Sequence, residues 1–409
     1  MIHNSLLFTP SKIGPLTLRN RTIRAAAFEG MCVDNGPSEA LYRYHTSVAA
    51  GQVGMTTVAY AAVNRSGLSF PTQLWMRPEI VPGLKHLTDG IHKEGAAASV
   101  QMGHCGNMSH RNICGCTPVS ASSGFNLYSP TFVRALRKSE ILDMVKDFGK
   151  ATALAYESGF DAVEIHAGHG YLLSQFMSTW LNKRKDEYGG SFTNRLRFTS
   201  QVMEEVMEVA TRRKMAVLAK MNMRDGFRGG MELDESLQVA ALLEKEGVHA
   251  LVLSGGYVSR APMYVMRGAM PIKTLTYYMP WNYVKIGVGM AGKWMIPPVP
   301  FREGYFLEDA RVFRKHIRIP LVCLGGLFSR TVIEEALEDG FEFIGLARPL
   351  INDRSFVRHM REAEEEGNGN NFSSNCKHTN YCIARMYSKD MVCHQHLDDI
   401  PKKLLNEFK

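Results

Sequence analysis

The stretch Asp161–Phe176, DAVEIHAGHGYLLSQF, holds the residues best suited to chemistry. Read as a strand running into a turn, its side chains alternate. Val163 and Ile165 share one face; Ala162, Glu164 and His166 share the other. His166 then falls at the strand's C-terminal end. Gly168 and Gly170 permit a sharp turn that carries His169 and Tyr171 back over the same mouth. Imidazole N–H groups there can hydrogen-bond a carbonyl oxygen and stabilise charge developing on it. A phenol can deliver a proton to carbon as a general acid. Two other readings compete. The histidines can be structural, with Tyr171 a core aromatic, or His166 and His169 can be metal ligands, although no third ligand is obvious nearby. A second group is Gly325–Gly326 with Arg348. Paired glycines let backbone N–H groups approach a phosphate closely, and an arginine can add a bidentate contact. The glycine pair alone would be an ordinary tight turn.

Such residues need a scaffold that gathers strand ends. Eight short, nearly continuous apolar runs read as strands buried on both faces: 21–27, 54–60, 96–102, 161–167, 215–223, 250–256, 320–326 and 341–348. Amphipathic helical patterns follow them at 38–52, 82–94, 139–158, 194–213, 234–246, 306–317, 329–339 and 355–366. Ser38, Ser139, Asn194 and Ser329 stand as N-cap candidates. Eight strand–helix alternations predict an α/β fold, a closed (β/α)8 TIM barrel whose C-terminal rim carries the site. The runner-up, a doubly wound open sheet, lacks a GxGxxG after the first strand. An insertion at 257–304 follows strand six, with six methionines, Trp281, Trp294 and the pair Tyr277–Tyr278. It is too long for an ordinary loop. It reads as a lid or substrate wall, or as a self-packed excursion or dimer contact. Residues 1–366 are expected to form the barrel. Beyond GNGNN (367–371), a tail at 367–409 carries Cys376, Cys382 and Cys393.

Composition narrows the class. The chain has 409 residues, 45% hydrophobic and 22% charged, so it is neither disordered nor a small disulfide scaffold. Eight cysteines are sparse, which favours a reducing, cytoplasmic setting. The net charge of +8 comes without a basic-aromatic groove, so no nucleic-acid partner is expected. Residues 1–10 do not read as a signal peptide. Tyr277–Phe301 is the most membrane-like stretch, but Asn282, two lysines and four prolines break it, so no transmembrane segment is expected. A small-molecule substrate and a homo-oligomer fit this picture.

From His166 to Phe198 the chain reads HAGHGYLLSQFMSTWLNKRKDEYGGSFTNRLRF. This 33-residue run resembles the signature of the old yellow enzyme family of FMN-dependent oxidoreductases. Leu7–Arg21 resembles the family's opening hairpin, Gln101–Gly106 its third strand end, and Leu324–Gly326 and Ala347–Pro349 its phosphate-binding strand ends. The resemblance covers roughly residues 5–360, and the tail is similar to the branch that includes 2,4-dienoyl-CoA reductases. The family implies a barrel holding FMN, reduced by NADH or NADPH, that then reduces an activated alkene. Carried over, His166 and His169 would bind the substrate carbonyl and Tyr171 would be the proton donor. Gln101 would meet the flavin pyrimidine edge. Ala26, Ala27 and Ala62 would line the ring system, and Gly325, Gly326, Ala347 and Arg348 would hold the phosphate.

Three positions depart from the family pattern. Lys220 stands where many relatives have arginine beside the flavin, keeping the charge but losing the planar fork. Phe28 stands where relatives often place threonine or cysteine beside the flavin. The tail reads CKHTNYC, with Thr379 in the place of a cluster-ligating cysteine. Three thiols against the usual four argue against an iron–sulfur cluster, and His378 or His394 could complete a zinc site only in principle. Besides an ene-reductase, the sequence leaves open a flavin-binding barrel with little turnover and a metal-dependent barrel lyase.

Overall fold

A computed structural model describes residues 5–408. Eight parallel strands form its centre: β1 (Thr22–Arg24), β2 (Met55–Ala62), β3 (Ala97–Gly103), β4 (Ala162–His166), β5 (Ala216–Asn222), β6 (Ala250–Ser254), β7 (Leu321–Cys323) and β8 (Phe343–Leu346). Each pairs with its neighbour, β8 pairs with β1, and β1 pairs with β2, so the sheet closes into a (β/α)8 barrel. Alternation sends Ala162, Ala216, Leu218, Ala250, Val322 and Phe343 into one interior cluster. The antiparallel hairpin Ser11–Ile13/Leu16–Leu18 adds Ile13 and Leu18 to that cluster.

The crossover helices are α1 (Glu39–Ala50), α2 (Val81–Lys93), α3 (Lys138–Glu157), α4 (Phe192–Arg212), α5 (Leu233–Lys245), α6 (Leu307–His316), α7 (Arg330–Glu338) and α8 (Phe356–Glu365). Their apolar stripes pack on the outer strand faces in the main core. Ser38 and Ser329 cap α1 and α7 as expected, accepting from Leu41 N and Val332 N. Ser139 and Asn194 are not caps. α3 begins earlier because the Glu140 carboxylate turns back to accept from Arg137 N at 2.8 Å. In α4 the Ser191 hydroxyl accepts from Asn194 N at 3.3 Å, which puts Asn194 inside the helix.

The strands at either side of the closure are shorter than expected. β1, β7 and β8 keep three, three and four residues. At the end of β7, Gly325 and Gly326 take φ of +102° and +80°, which turns the chain out of the sheet. After β8, Arg348 opens a short helix, Arg348–Asn352. One excursion had no sequence signal: between β3 and α3 lies a small sheet of Val119–Ser120, Gly124–Asn126 and Thr131–Ala135. Strands of two to five residues are too short to show a period.

The insertion forms helices Pro262–Met266, Ile272–Tyr278 and Asn282–Met295. Met263, Met270, Leu275 and Met279 pack there with Ala384 of the tail. Cys382, Met391 and Cys393 of the tail enter the main core. Among the described residues, no helix is long and apolar enough to cross a membrane.

Candidate functional site

Register places the chemistry. Gln101 lies opposite Glu164, His166 opposite Lys220, and Asn222 opposite Ser254, all at the C-terminal half of the barrel. His166 is buried at the end of β4, in space left by Gly103, where a Cβ would come 3.0 Å from that of His166. Beyond it the chain turns through His169 (φ +56°) and Gly170 (φ +79°). A Cβ on Gly170 would meet the Tyr257 ring at 2.4 Å, so the turn requires glycine. The Asn222 side chain accepts from His169 N at 3.0 Å and donates to Asp225 at 2.8 Å. The Ser254 hydroxyl lies 2.8 Å from His169 Nε2.

The three expected residues converge. Ring centroids of His166 and Tyr171 are 4.3 Å apart, and those of His166 and His169 are 5.0 Å apart. Burial pushes the His169 pKa down to about 3, with Lys220 adding to the effect. Burial, His169 and Lys220 together push His166 well below its usual range. Both rings are neutral at neutral pH and each offers one N–H. Burial raises the Tyr171 phenol, as does nearby Cys105, so it keeps its proton.

A cavity opens beside His169, while His166 and Tyr171 are not part of its lining. Ala26, Ala27, His169 and Lys220 line one part; Gly325, Gly326, Ala347 and Arg348 line another. At the glycine pair a Cβ would strike Phe306 at 2.6 Å or Tyr305 at 2.7 Å. Only glycine fits at these two positions, so backbone alone borders the cavity there, as an anion cradle requires. Arg348 is buried beside it, its guanidinium over Phe301 and Phe328. A phosphate at the cradle and a planar ring system along Ala26, Ala27 and Lys220 match the donor set of an FMN site.

Gln101, Ala62 and Phe28, also expected at the cofactor, are not among the residues that line this cavity. Gln101 is buried and donates to Glu164 Oε1 at 2.6 Å. The same oxygen takes Lys220 Nζ at 2.8 Å, and that ammonium also lies 3.4 Å from Ala26 O. Ala62 is buried in β2, and Phe28 stacks on Phe70 at 4.8 Å. Neither lines the cavity.

Several residues of the site were not anticipated. Tyr60 stands 5.0 Å from the Tyr171 ring, and its hydroxyl meets Ser69 Oγ at 2.9 Å. The tail contributes Asn380 and Ile383 to the cavity, and its Tyr387 hydroxyl lies 3.1 Å from that of Tyr128. Lone tyrosines in apolar runs carry no sequence signal separating a site from a core. The acidic pattern that marks Glu164 as inward-facing was visible, but its partner Lys220 lies on another strand. Cys376, Cys382 and Cys393 line a smaller cavity that shares Arg348, Ile351 and Asn380 with the first. Among the described residues, no three His, Cys, Asp or Glu side chains are grouped to hold a single metal ion.

Residues 6–296 match the NADH:flavin oxidoreductase / NADH oxidase family. The 4,4'-dithiodibutanoate disulfide reductase of Rhodococcus erythropolis is 40% identical over 383 residues, which cover 93% of each chain. In fold, the chain is similar to a 2-naphthoyl-CoA reductase (TM-score 0.80, 21% identity) over all of its own length and 58% of that chain. It is also similar to an old yellow enzyme homologue from Zymomonas mobilis (TM-score 0.71, 22% identity) over 97% of its length and 99% of that chain.

Proposed function

The chain belongs to the NADH:flavin oxidoreductase / NADH oxidase family, and on that premise we propose that it takes electrons from NAD(P)H through FMN and reduces an activated alkene of the enone or enoyl type, with Tyr171 as proton donor. One observation carries this reading: His166 packs against both Tyr171 and His169, and His169 lines a cavity whose wall includes the anion cradle of Gly325–Gly326. Bound FMN supplies the hydride acceptor for NAD(P)H and the hydride donor for the substrate.

The protein's own groups do the rest. Ala26 and Ala27 would border the flavin ring, Lys220 would place a positive charge at its edge, and Gly325, Gly326, Ala347 and Arg348 would hold the phosphate, since all line the one cavity. The neutral imidazoles of His166 and His169 hold the substrate oxygen by N–H donation, strengthening as negative charge develops. The Tyr171 phenol keeps its proton until the α-carbon becomes basic enough to take it. With three thiols and Thr379 in the tail, FMN is the cofactor this reading requires, and no iron–sulfur cluster is invoked.

A second acceptor follows from the disulfide reductase that matches 93% of this chain. An organic disulfide in the same position would receive hydride on one sulfur as the S–S bond breaks. The departing thiolate would take the Tyr171 proton, and two thiols would leave.

The test begins with colour. FMN-loaded protein should be yellow and bleach with NADH or NADPH without oxygen; a protein that stays colourless after FMN addition ends the proposal. An enone and a dialkyl disulfide offered in parallel then distinguish the acceptors. In Tyr171→Phe, bleaching should survive while acceptor turnover falls about 10²–10⁴-fold. Equal turnover in both proteins would remove the assigned acid.

A further inference from the structure

We propose that the helix Asn282–Met295 is a docking face that seats the enzyme on an anionic lipid surface. The helix is apolar on two sides. Val284 and Val288 turn inward onto the insertion's own cluster. The opposite side shows Tyr283 (57% exposed), Ile286 (64%), Met290 (86%) and Trp294 (86%) to solvent. Their spacing of three and four residues makes one stripe, about 17 Å long from Tyr283 to Trp294. A solvated helix normally sets polar residues on such a face. Large aromatic and aliphatic side chains with flanking lysines instead describe a helix that lies in a membrane interface.

Charge selects the occupant. No aspartate or glutamate occurs between Glu246 and Glu303, whereas Lys273, Lys285 and Lys293 fall there; Arg260 and Arg267 of the same stretch lie over the rings of Trp180 and Tyr264 instead. Among the described residues none of these three lysines forms an ion pair, whereas Arg302 at the end of the stretch pairs with Glu308. The tail adds Lys403, whose ammonium sits 4.5 Å from the Tyr277 ring. The nearby Glu407 carboxylate accepts from Lys273 N and Thr274 N at the start of the helix Ile272–Tyr278. A two-fold contact between copies through this face would set the cations against themselves. An anionic bilayer meets both the charge and the apolar stripe, with each cation near the surface strengthening binding about fivefold. The helix is seated: Trp281 stacks on His110 at 4.6 Å. Val265 and Met266 of the same insertion line the main cavity, so a docked enzyme would hold its site close to the lipid.

The test uses full-length, FMN-loaded enzyme in co-sedimentation with vesicles. One set is phosphatidylcholine alone; the other is phosphatidylcholine and phosphatidylglycerol in equal parts. Binding is expected on the anionic vesicles and should weaken as salt is raised. The variant Ile286→Glu/Met290→Glu/Trp294→Glu should lose about tenfold or more in partitioning, and Lys285→Glu/Lys293→Glu should lose it on the anionic set. NAD(P)H-dependent flavin bleaching in solution should be unchanged in both, which separates this result from failure of the flavin reading. Three outcomes overturn the proposal: no binding to either vesicle, equal binding to both compositions, or equal binding by wild type and the triple variant. Self-association in sedimentation velocity that the triple variant abolishes, without vesicle binding, would make the face an interface between copies.

Discussion

Lys220 shows how one side chain serves both fold and site. Its ammonium reaches the cavity wall, yet its partner is the buried Glu164 carboxylate, at 2.8 Å. Removing one member of a buried pair leaves an uncompensated charge and costs about 3–5 kcal/mol. Lys220→Met should therefore lower apo-protein stability by that order in denaturant unfolding. Lys220→Met/Glu164→Gln should recover most of the loss, because Gln101 still has a partner. A single variant as stable as wild type would show that the pair adds nothing. Residue identity made Lys220 visible in sequence, flanked by VLA and MNM. Its pairing was not visible, since 56 residues separate it from Glu164 and only parallel register joins them.

Strand ends gather the histidines, and this has a pH consequence. His104 follows β3 and His169 follows β4; His104 is buried, His169 half-buried, and desolvation pushes each down to about 3. The unfolded chain's histidines titrate near 6.5. Between these values the unfolded state binds more protons, so stability is full above about pH 6.5 and falls as pH drops towards 3. Each such histidine costs about 1.4 kcal/mol per pH unit in that window. Thermal unfolding should therefore move to lower temperature between about pH 7 and pH 5, and His104→Asn should make the slope shallower by one proton's share. An unchanged slope would refute the assignment. At this scale the barrel was legible because each strand and helix carries its own period. The cap positions shifted because capping depends on which side chain turns back, and Glu140 and Ser191 won.

At the scale of the molecule, the tail closes what the barrel leaves open. Asn380 and Ile383 complete the cavity wall, Tyr387 meets Tyr128, and Met391 and Cys393 fill the core beside the barrel. Ending the chain after Glu366 should lower the melting temperature and weaken FMN retention by at least about tenfold, since the cavity loses a side and gains water. Calorimetry and flavin release on gel filtration check this; full FMN retention would show the tail to be dispensable for the site.

By itself, the sequence determined the alternation of elements, the inward face of β4 and the motif uniting His166, His169 and Tyr171. These are local properties, set by periodicity and by turns within a few residues. Tertiary structure alone decided that Gln101 pairs with Glu164, that Phe28 stacks on Phe70, and that a tail more than two hundred residues from Tyr171 packs beside it through Tyr387 and Tyr128. Those outcomes depend on the register of closure and on which surfaces bury one another, and neither is written in any single stretch of chain.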